Sequence, residues 1–308
     1  MKSPLPIVDG VTPSNHWLPP GRWKTILEFL KERFPVVATD TWTSRMAKGE
    51  VVDENGLRLN PASAYRVGAR IFYYRELESE QAIPFEEEIL YQDGHLLVLD
   101  KPHFLPVIPA GRFLHETLLV RLKKKLLLED LVPVHRLDRE TAGLVLFSVN
   151  PATRGEYGSL FRNRKVDKVY EALAPARPDI KLPVTRRSRI VPGDPFFRMK
   201  EVQGEPNSET HIEAGSPAEG VIGEPMLYRL RPATGRKHQL RVHMSALGIP
   251  IVNDSLYPEM GPPGWTESEE SFSFPLKLLA KSIAFADPVT RREHYFQSSR
   301  TLWVNQSG

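Results

Sequence analysis

Trp23, Ile26, Leu27, Leu30 and Phe34 recur at helical spacing with charged residues between them, which predicts one amphipathic helix over 23–34. A second, shorter helix is predicted over 42–48. Asn55-Gly56, set between Val51-Val52 and Leu57–Leu59, reads as a two-residue hairpin turn, and Arg70–Tyr74 as a strand. The acidic, polar stretch 77–88 has the composition of a linker. Beyond it, Ile89–Tyr91 and Leu96–Leu99 flank Asp93-Gly94 as a hairpin. Leu118–Leu128 places leucines against Arg121 and Lys123–Lys125 at helical spacing, a solvated helix with an apolar underside. Leu144–Phe147 and Met226–Leu230 read as buried strands. Strands interrupted by helices, without a βαβ rhythm, predict an α+β fold with a mixed or largely antiparallel central sheet. The expected organisation is a small N-terminal α/β module over 1–80, beginning in an extended proline-rich arm over 1–20, then a linker over 81–88 and a main domain over 89–308.

Composition narrows the chemistry. The 308 residues include no Cys, which removes cysteine nucleophiles, disulfide frameworks and thiolate metal centres. No apolar run is long enough for a membrane span and the first residues lack the apolar core of a signal peptide, so a cytoplasmic protein is expected. With 41 Lys+Arg against 38 Asp+Glu, net charge alone identifies no partner. Its distribution is more informative. No acid occurs from Met226 to Asn253, a stretch holding Arg229, Arg231, Arg236, Lys237 and Arg241, and a second basic run holds Arg162, Arg164, Lys165 and Lys168. Local excess of this kind can neutralise phosphates. The proline excess, 28 Pro against 20 Gly, falls largely in the N-terminal arm and in connections such as Pro175–Pro195 and Pro258–Pro263.

The densest chemistry is HRLDRETAGLVLFS, His135–Ser148, where Asp138 stands between Arg136 and Arg139 just ahead of a hydrophobic strand. Flanking arginines can keep a carboxylate ionised, which suits a nucleophile, although the same pattern also serves structural ion pairs. The kinase signature H-R-D-L is not matched, and neither a G-x-G-x-x-G loop, a D-F-G motif nor a P-loop occurs. A glycosidase would need a second acid near Asp138; Glu140 is the only close one, and two residues along a loop is no evidence for paired carboxylates. In the later block Thr234 reads as an N-cap, with a helix from Arg236 toward Leu247 carrying His238 and Arg241 on one face. His238 and His243, five apart and without nearby Cys or carboxylates, make poor metal ligands.

These residues together resemble the pseudouridine synthases of the RluA family. HRLDRETAGL is similar to that family's H-R-L-D-x-x-T-S-G-L, and ILYQDGHLLVLDKP to its lead-in strand pair ending in Lys101-Pro102. NRKVDKVYE resembles the K-x-Y segment, TGRKHQLRVH the T-G-R-x-H-Q-[IL]-R-V-H block, and PIVNDSLYP the P-I-x-G-D-x-x-Y tail. The matches run in family order over about residues 85–290. The N-terminal order of helix, helix, Gly49, hairpin and strand resembles the small alpha-L RNA-binding module of ribosomal protein S-four.

The resemblance implies an isomerase that converts uridine in structured ribosomal or transfer RNA to pseudouridine, as a monomer, with no metal or organic cofactor. It implies Asp138 as the catalytic aspartate, Tyr170 as the tyrosine that stacks on the base and handles the carbon-5 proton, and Arg241 as the partner of Asp138. Leu278 would lie under the base. Arg136 would fill the space left by a flipped nucleotide or brace the loop, and Arg139, Arg162, Arg164, Lys165, Arg236, Lys237 and His238 would contact RNA. A non-catalytic RNA-binding factor on the same scaffold is the alternative. The chain departs from the family pattern at Ala142, Asn253, Leu279 and Asp287, where Ser, Gly, His and His are usual.

Overall fold

The computed structural model describes residues 3–77, 79–215, 225–260 and 272–302. The chain divides into two compact units: Met1–Gln81 with Pro109–Glu116 and Val120–Glu129, and Ala82–Ile108 with Thr117–Leu119 and Asp130–Gly308. Residues 109–116 and 120–129, which the sequence assigns to the main domain, thus group with the N-terminal unit. Two interactions explain it. The Glu80 carboxylate accepts from the backbone N–H groups of Leu114, His115 and Glu116, and Val11, Leu114 and Val120 share one apolar cluster.

In the N-terminal unit, β1 (Ser14–Trp17), α1 (Ile26–Arg33), α2 (Thr39–Lys48), β2 (Val51–Asp53) and β3 (Arg70–Tyr73) form an antiparallel sheet in the order β1-β3-β2 with two helices. Thr25 Oγ1 caps α1 by accepting from Glu28 N–H, while the Glu28 carboxylate reaches back to Lys24 N–H. Gly49 ends α2 in the left-handed region, where the lack of a Cβ spares it strain. Ile26, Phe29, Leu30, Trp42, Met46 and Ile71 are the centre of its core. The expected arm over 1–20 is not wholly irregular, since β1 pairs with β3 from Ser14 to Trp17. The turn at Asn55-Gly56 forms around the Asp53 carboxylate, but its far limb makes a single bridge, Val52 to Arg58, rather than a strand.

The second unit is built on one large sheet. Its elements are β4 (Glu88–Gln92), β5 (Leu96–Lys101), β6 (Val132–Pro133), β7 (Ala142–Ser148), α4 (Arg154–Arg162), β8 (Asp167–Pro175), β9 (Val184–Pro192), β10 (Met199–Val202), β11 (Ser208–Ala214), β12 (Pro225–Pro232), α5 (Gln239–Ala246), β13 (Leu278–Ala286) and β14 (Glu293–Gln297); α3 (Leu118–Leu126), between β5 and β6 in the chain, belongs from Val120 onward to the first unit. The strand order is β10-β9-β11-β12-β8-β13-β7-β5-β4, with β14 on β13 and β6 on β7. All pairings are antiparallel except β13 with β7, so the fold is α+β on a mixed sheet. β9 occupies the segment expected to be a proline-rich connection; Arg187 and Arg189 point outward, and a polar residue, Ser188, takes a buried position between them, which masks its strand character. Pro262 and Pro263 lie outside the described residues. Among those residues no helix is long and apolar enough to cross a membrane.

The β7–β13 junction positions everything that follows. Leu279 pairs with Ala142 and Ala280 with Gly143. Gly143 has φ +107°, and a Cβ there would stand 2.3 Å from the Ala280 carbonyl oxygen, so the close approach requires glycine. On one face, Ala172, Tyr228, Leu230 and Leu278 pack with Leu240 and Met244 of α5; on the other, Ala142, Leu173, Leu279 and Leu302 form a separate cluster.

Candidate active site

Asp138 lies in the loop that leads into β7, and that loop is held from below. Lys101, fully buried at the end of β5, donates through Nζ to the carbonyls of Pro102, Leu105 and Arg139. Burial lowers its ammonium to about 7, against the opposing pull of the Glu140 and Asp138 carboxylates. His103 Nδ1 lies 2.6 Å from the Glu140 carbonyl, and burial holds this imidazole neutral, at about 4. His135, lowered by burial to about 3, stacks on Phe161 at 4.6 Å and accepts from Leu146 N–H. Thr141 N–H closes a turn onto the Asp138 carbonyl at 3.1 Å.

The opposite wall is the start of α5. The helix begins at Gln239, not Arg236, and Thr234 does not cap it. Instead the Thr234 hydroxyl accepts from Glu209 N–H and donates to the Gln239 side chain, which also accepts from Arg236 N–H. His238 precedes the helix at φ +54°, a left-handed conformation that turns its ring toward Asp138. Arg241 is 1% exposed. It donates through Nε and Nη2 to Asp254 at 2.9 and 2.7 Å, a bidentate pair. Its remaining nitrogen, Nη1, is buried without a hydrogen bond and stands 3.6 Å from Asp138 Oδ2 and 3.5 Å from Glu140 Oε2. Asp254 chiefly, then Glu140 and Asp138, raise the guanidinium pKa in spite of its burial.

The expected support of Asp138 by its flanking arginines is not what the structure holds. Arg139 forms an ion pair with Glu140 at 2.9 Å, and no ion pair among the described residues engages Arg136. Arg241 and Arg139 together hold the Glu140 carboxyl at about 2 against the opposing effect of burial. Asp138 Oδ2 faces Arg241, and its Oδ1 lies 4.0 Å from His238 Nε2.

A cleft opens over Asp138, lined also by Tyr170, Leu278, Lys168, Arg136 and Arg236. Tyr170 and Lys168 alternate along β8 and so share a face, as do Leu278 and Ala280 along β13, with Ala280 paired to Tyr170. Leu279 points the other way, into the Ala142 cluster, which fixes Leu278 as the leucine beside the cleft. Burial first, and the charge of Asp138 second, push the Tyr170 hydroxyl well above its usual range, so it is a protonated phenol at neutral pH. Arg162, Arg164 and Lys165 lie around the end of α4 and the turn into β8, and Lys237 is exposed beside His238; none of these lines the cleft. His243 is tied into a buried polar cluster with Thr210, Ser188 and Ser208.

Four participants receive no role in the site from the sequence. Asp254 lies one residue beyond the acid-free stretch and thirteen from Arg241, across a loop without periodic pattern. Glu140 stands out in the chain only as a possible second acid. Lys101 carries no visible role until its carbonyl partners are seen, and Tyr257, whose ring lies against the Arg241 guanidinium at 5.5 Å, is a fixed position of the P-I-x-G-D-x-x-Y tail to which the sequence gives no role. Asn253, standing where the family has Gly, adopts φ +62°, a conformation Asn tolerates better than most residues. Asp287 is buried and accepts from the Tyr157 hydroxyl and from Val289 and Thr290 N–H, a structural place remote from the cleft lining.

Comparison with known proteins identifies the family. A sequence model of the RNA pseudouridylate synthase family matches residues 95–246. An RNA pseudouridine synthase RluA of dual specificity from Vibrio parahaemolyticus is 32% identical over 219 residues, 68% of this chain and 81% of the relative. An uncharacterised RNA pseudouridine synthase of Synechocystis is 29% identical over 242 residues, 77% of this chain and 81% of the relative. The solved structure of human RNA pseudouridylate synthase domain containing 1 superposes with a TM-score of 0.56 at 25% identity, covering 72% of this chain and 86% of that one. The chain therefore belongs to the RluA-type RNA pseudouridine synthases, isomerases that convert uridine in RNA to pseudouridine.

Proposed function

We propose that Asp138 is the catalytic aspartate of this isomerase and that its substrate is a uridine flipped out of structured ribosomal or transfer RNA. The observation that carries the reading is the convergence on one cleft of Asp138, the buried Arg241 3.6 Å from it, Tyr170 and Leu278. The reaction breaks the bond between C1′ and N1, turns the uracil, and joins C1′ to C5; C5 loses a proton and N1 gains one. No redox change occurs, so a carboxylate, a proton-handling group and a fixed counter-charge suffice. Arg241 gives the Asp138 carboxylate a fixed counter-charge and aims it. Leu278 and the Tyr170 ring hold the base, and the Tyr170 phenol, protonated in the resting cleft, relays the C5 proton.

Recognition follows from the rim. A base inside a helix cannot reach a carboxylate on a cleft floor, so extrusion is required. Arg136, exposed at the lip of the cleft and without an ion-pair partner among the described residues, occupies the vacated stack. Arg162, Arg164, Lys165, Arg236 and Lys237 follow the phosphate backbone, while Arg139 acts through Glu140 and His238 acts beside Asp138. The protein works as a cytoplasmic monomer without metal or organic cofactor. Pseudouridine mapping across total RNA, with and without the active protein, identifies the target. Replacing Asp138 with Asn is expected to abolish product while RNA binding persists; retained activity would refute the assignment.

A further inference from the structure

Tyr257 is the point at which the two groups facing Asp138 meet. Its ring lies between the Arg198 guanidinium, at 5.1 Å, and that of Arg241, at 5.5 Å. Its hydroxyl oxygen accepts from Met199 N–H at 2.8 Å, at the first residue of β10. The same hydroxyl lies 2.9 Å from His238 Nδ1, and the two rings meet edge-on at 83°. His238 then presents Nε2 to Asp138 Oδ1 at 4.0 Å, while Arg241 presents Nη1 to Oδ2 at 3.6 Å.

The direction of the Tyr257–His238 hydrogen bond follows from proton bookkeeping. Met199 N–H can only donate, so the phenol oxygen accepts it. Were His238 Nδ1 also a donor to that oxygen, the phenolic hydrogen would be left without an acceptor, since no other bonded partner of the hydroxyl exists among the described residues. That tautomer would also turn the Nε2 lone pair toward the Asp138 carboxylate. With the phenol donating to Nδ1, both conflicts vanish and Nε2 carries the hydrogen. His238 is 8% exposed, and burial lowers its pKa, with Arg241 and Lys237 acting in the same sense and Asp138 and Glu140 opposing, so the ring is neutral at pH 7.

We propose that Tyr257 is a positioning residue that fixes His238 as the neutral Nε2–H tautomer, so that His238 offers a hydrogen-bond donor beside Asp138 and to whatever substrate oxygen enters the gap between them. This rests on the reading of Asp138 as the reacting group. The gap of 4.0 Å is too long for a direct bond and leaves room for closure on a bound nucleotide. Because the anchor of Tyr257 is a backbone N–H of β10, the hairpin of β9 and β10, with Phe196 exposed at its tip, is mechanically tied to the orientation of His238.

The test uses the full chain labelled with 15N on histidine, with the His238 signals assigned by their loss in His238→Asn. Two-bond proton–nitrogen correlations at about pH 7 are expected to show His238 as the Nε2–H tautomer. In Tyr257→Phe, which keeps the ring between the two guanidinium groups, that preference is expected to be lost and kcat to fall roughly 10- to 100-fold with little change in KM. An Nδ1–H or doubly protonated His238 in the unmodified protein overturns the proposal, and this readout stands even if the variant fails to fold. A Tyr257→Phe protein that retains the Nε2–H tautomer also overturns it, whatever its kcat. The measurement is independent of Asp138, whose own assignment stands or falls with the activity of Asp138→Asn.

Discussion

Arg241 has five N–H groups and three carboxylates around it, and the division among them decides how the site behaves. Asp254 takes two donors in a fork geometry inside a dry environment, both side chains being at most 1% exposed. Removing one member of such a pair leaves a buried charge uncompensated, so Asp254→Ala is expected to cost about 3–5 kcal/mol, measured by urea unfolding. Glu140 contributes in a pH-dependent way. Its folded carboxyl, held at about 2 by Arg241 and Arg139, lies below its ordinary value of 4.5, so it stabilises the fold above that value and loses this contribution as pH falls through it toward 2. The contribution is on the order of 3 kcal/mol. Denaturation midpoints followed from neutral to acid pH are therefore expected to fall less steeply in Glu140→Gln than in the unmodified protein.

At the scale of elements, the parallel step between β7 and β13 is what delivers the Asp138 loop beside Tyr170. Gly143→Ala would drive a methyl to within 2.3 Å of the Ala280 carbonyl oxygen at an unfavourable φ. Its expected cost is about 3 kcal/mol, seen as a lowered thermal midpoint and accompanied by loss of activity. Elements whose pattern is self-contained are legible in the chain: α1 by its apolar stripe, the β4–β5 hairpin by Asp93-Gly94, and β7 by an unbroken buried run. β9 is hidden because it opens on a polar run in which Arg186 and Arg187 are answered by Glu201 and Glu209 on neighbouring strands, a pairing that exists only after folding. The displaced start of α5 has a similar cause, since the Thr234 hydroxyl that would cap it serves Glu209 and Gln239. Within the cleft, Asp138, Tyr170, Arg241 and Leu278 are all legible through motifs, and strand alternation separates Leu278 from Leu279. Asp254 and Tyr257 are fixed positions of the P-I-x-G-D-x-x-Y tail, but their contacts with Arg241 and His238 are not legible, because nothing in sequence spacing marks a partner that reaches across a loop.

At the scale of the whole molecule, the small net charge conceals basic side chains on the surface around the cleft and at the end of α4. Replacing Arg164 or Lys165 with Gln is expected to weaken RNA binding and to lower the slope of log K against log salt by about 1 for each phosphate that is no longer neutralised. Unaltered slopes would remove both residues from the interface. A second whole-molecule feature lies behind the sheet. Asp100, fully buried on β5, accepts from the Ser298 hydroxyl and Ser299 N–H and lies 3.2 Å from Arg300 Nε. Leu302, next to that segment, packs under Ala142 at the entry to β7. Ser298 comes 198 positions after Asp100, an interval of roughly 10–40 s at ordinary rates of translation. Throughout that interval the nascent chain carries a carboxylate whose partners have not yet been made, so the β5 end of the sheet lacks its closing contacts until Ser298–Arg300 has been synthesised and is free to fold back. Completion of that end of the sheet therefore waits on the few residues that follow β14, however early the other strands have paired.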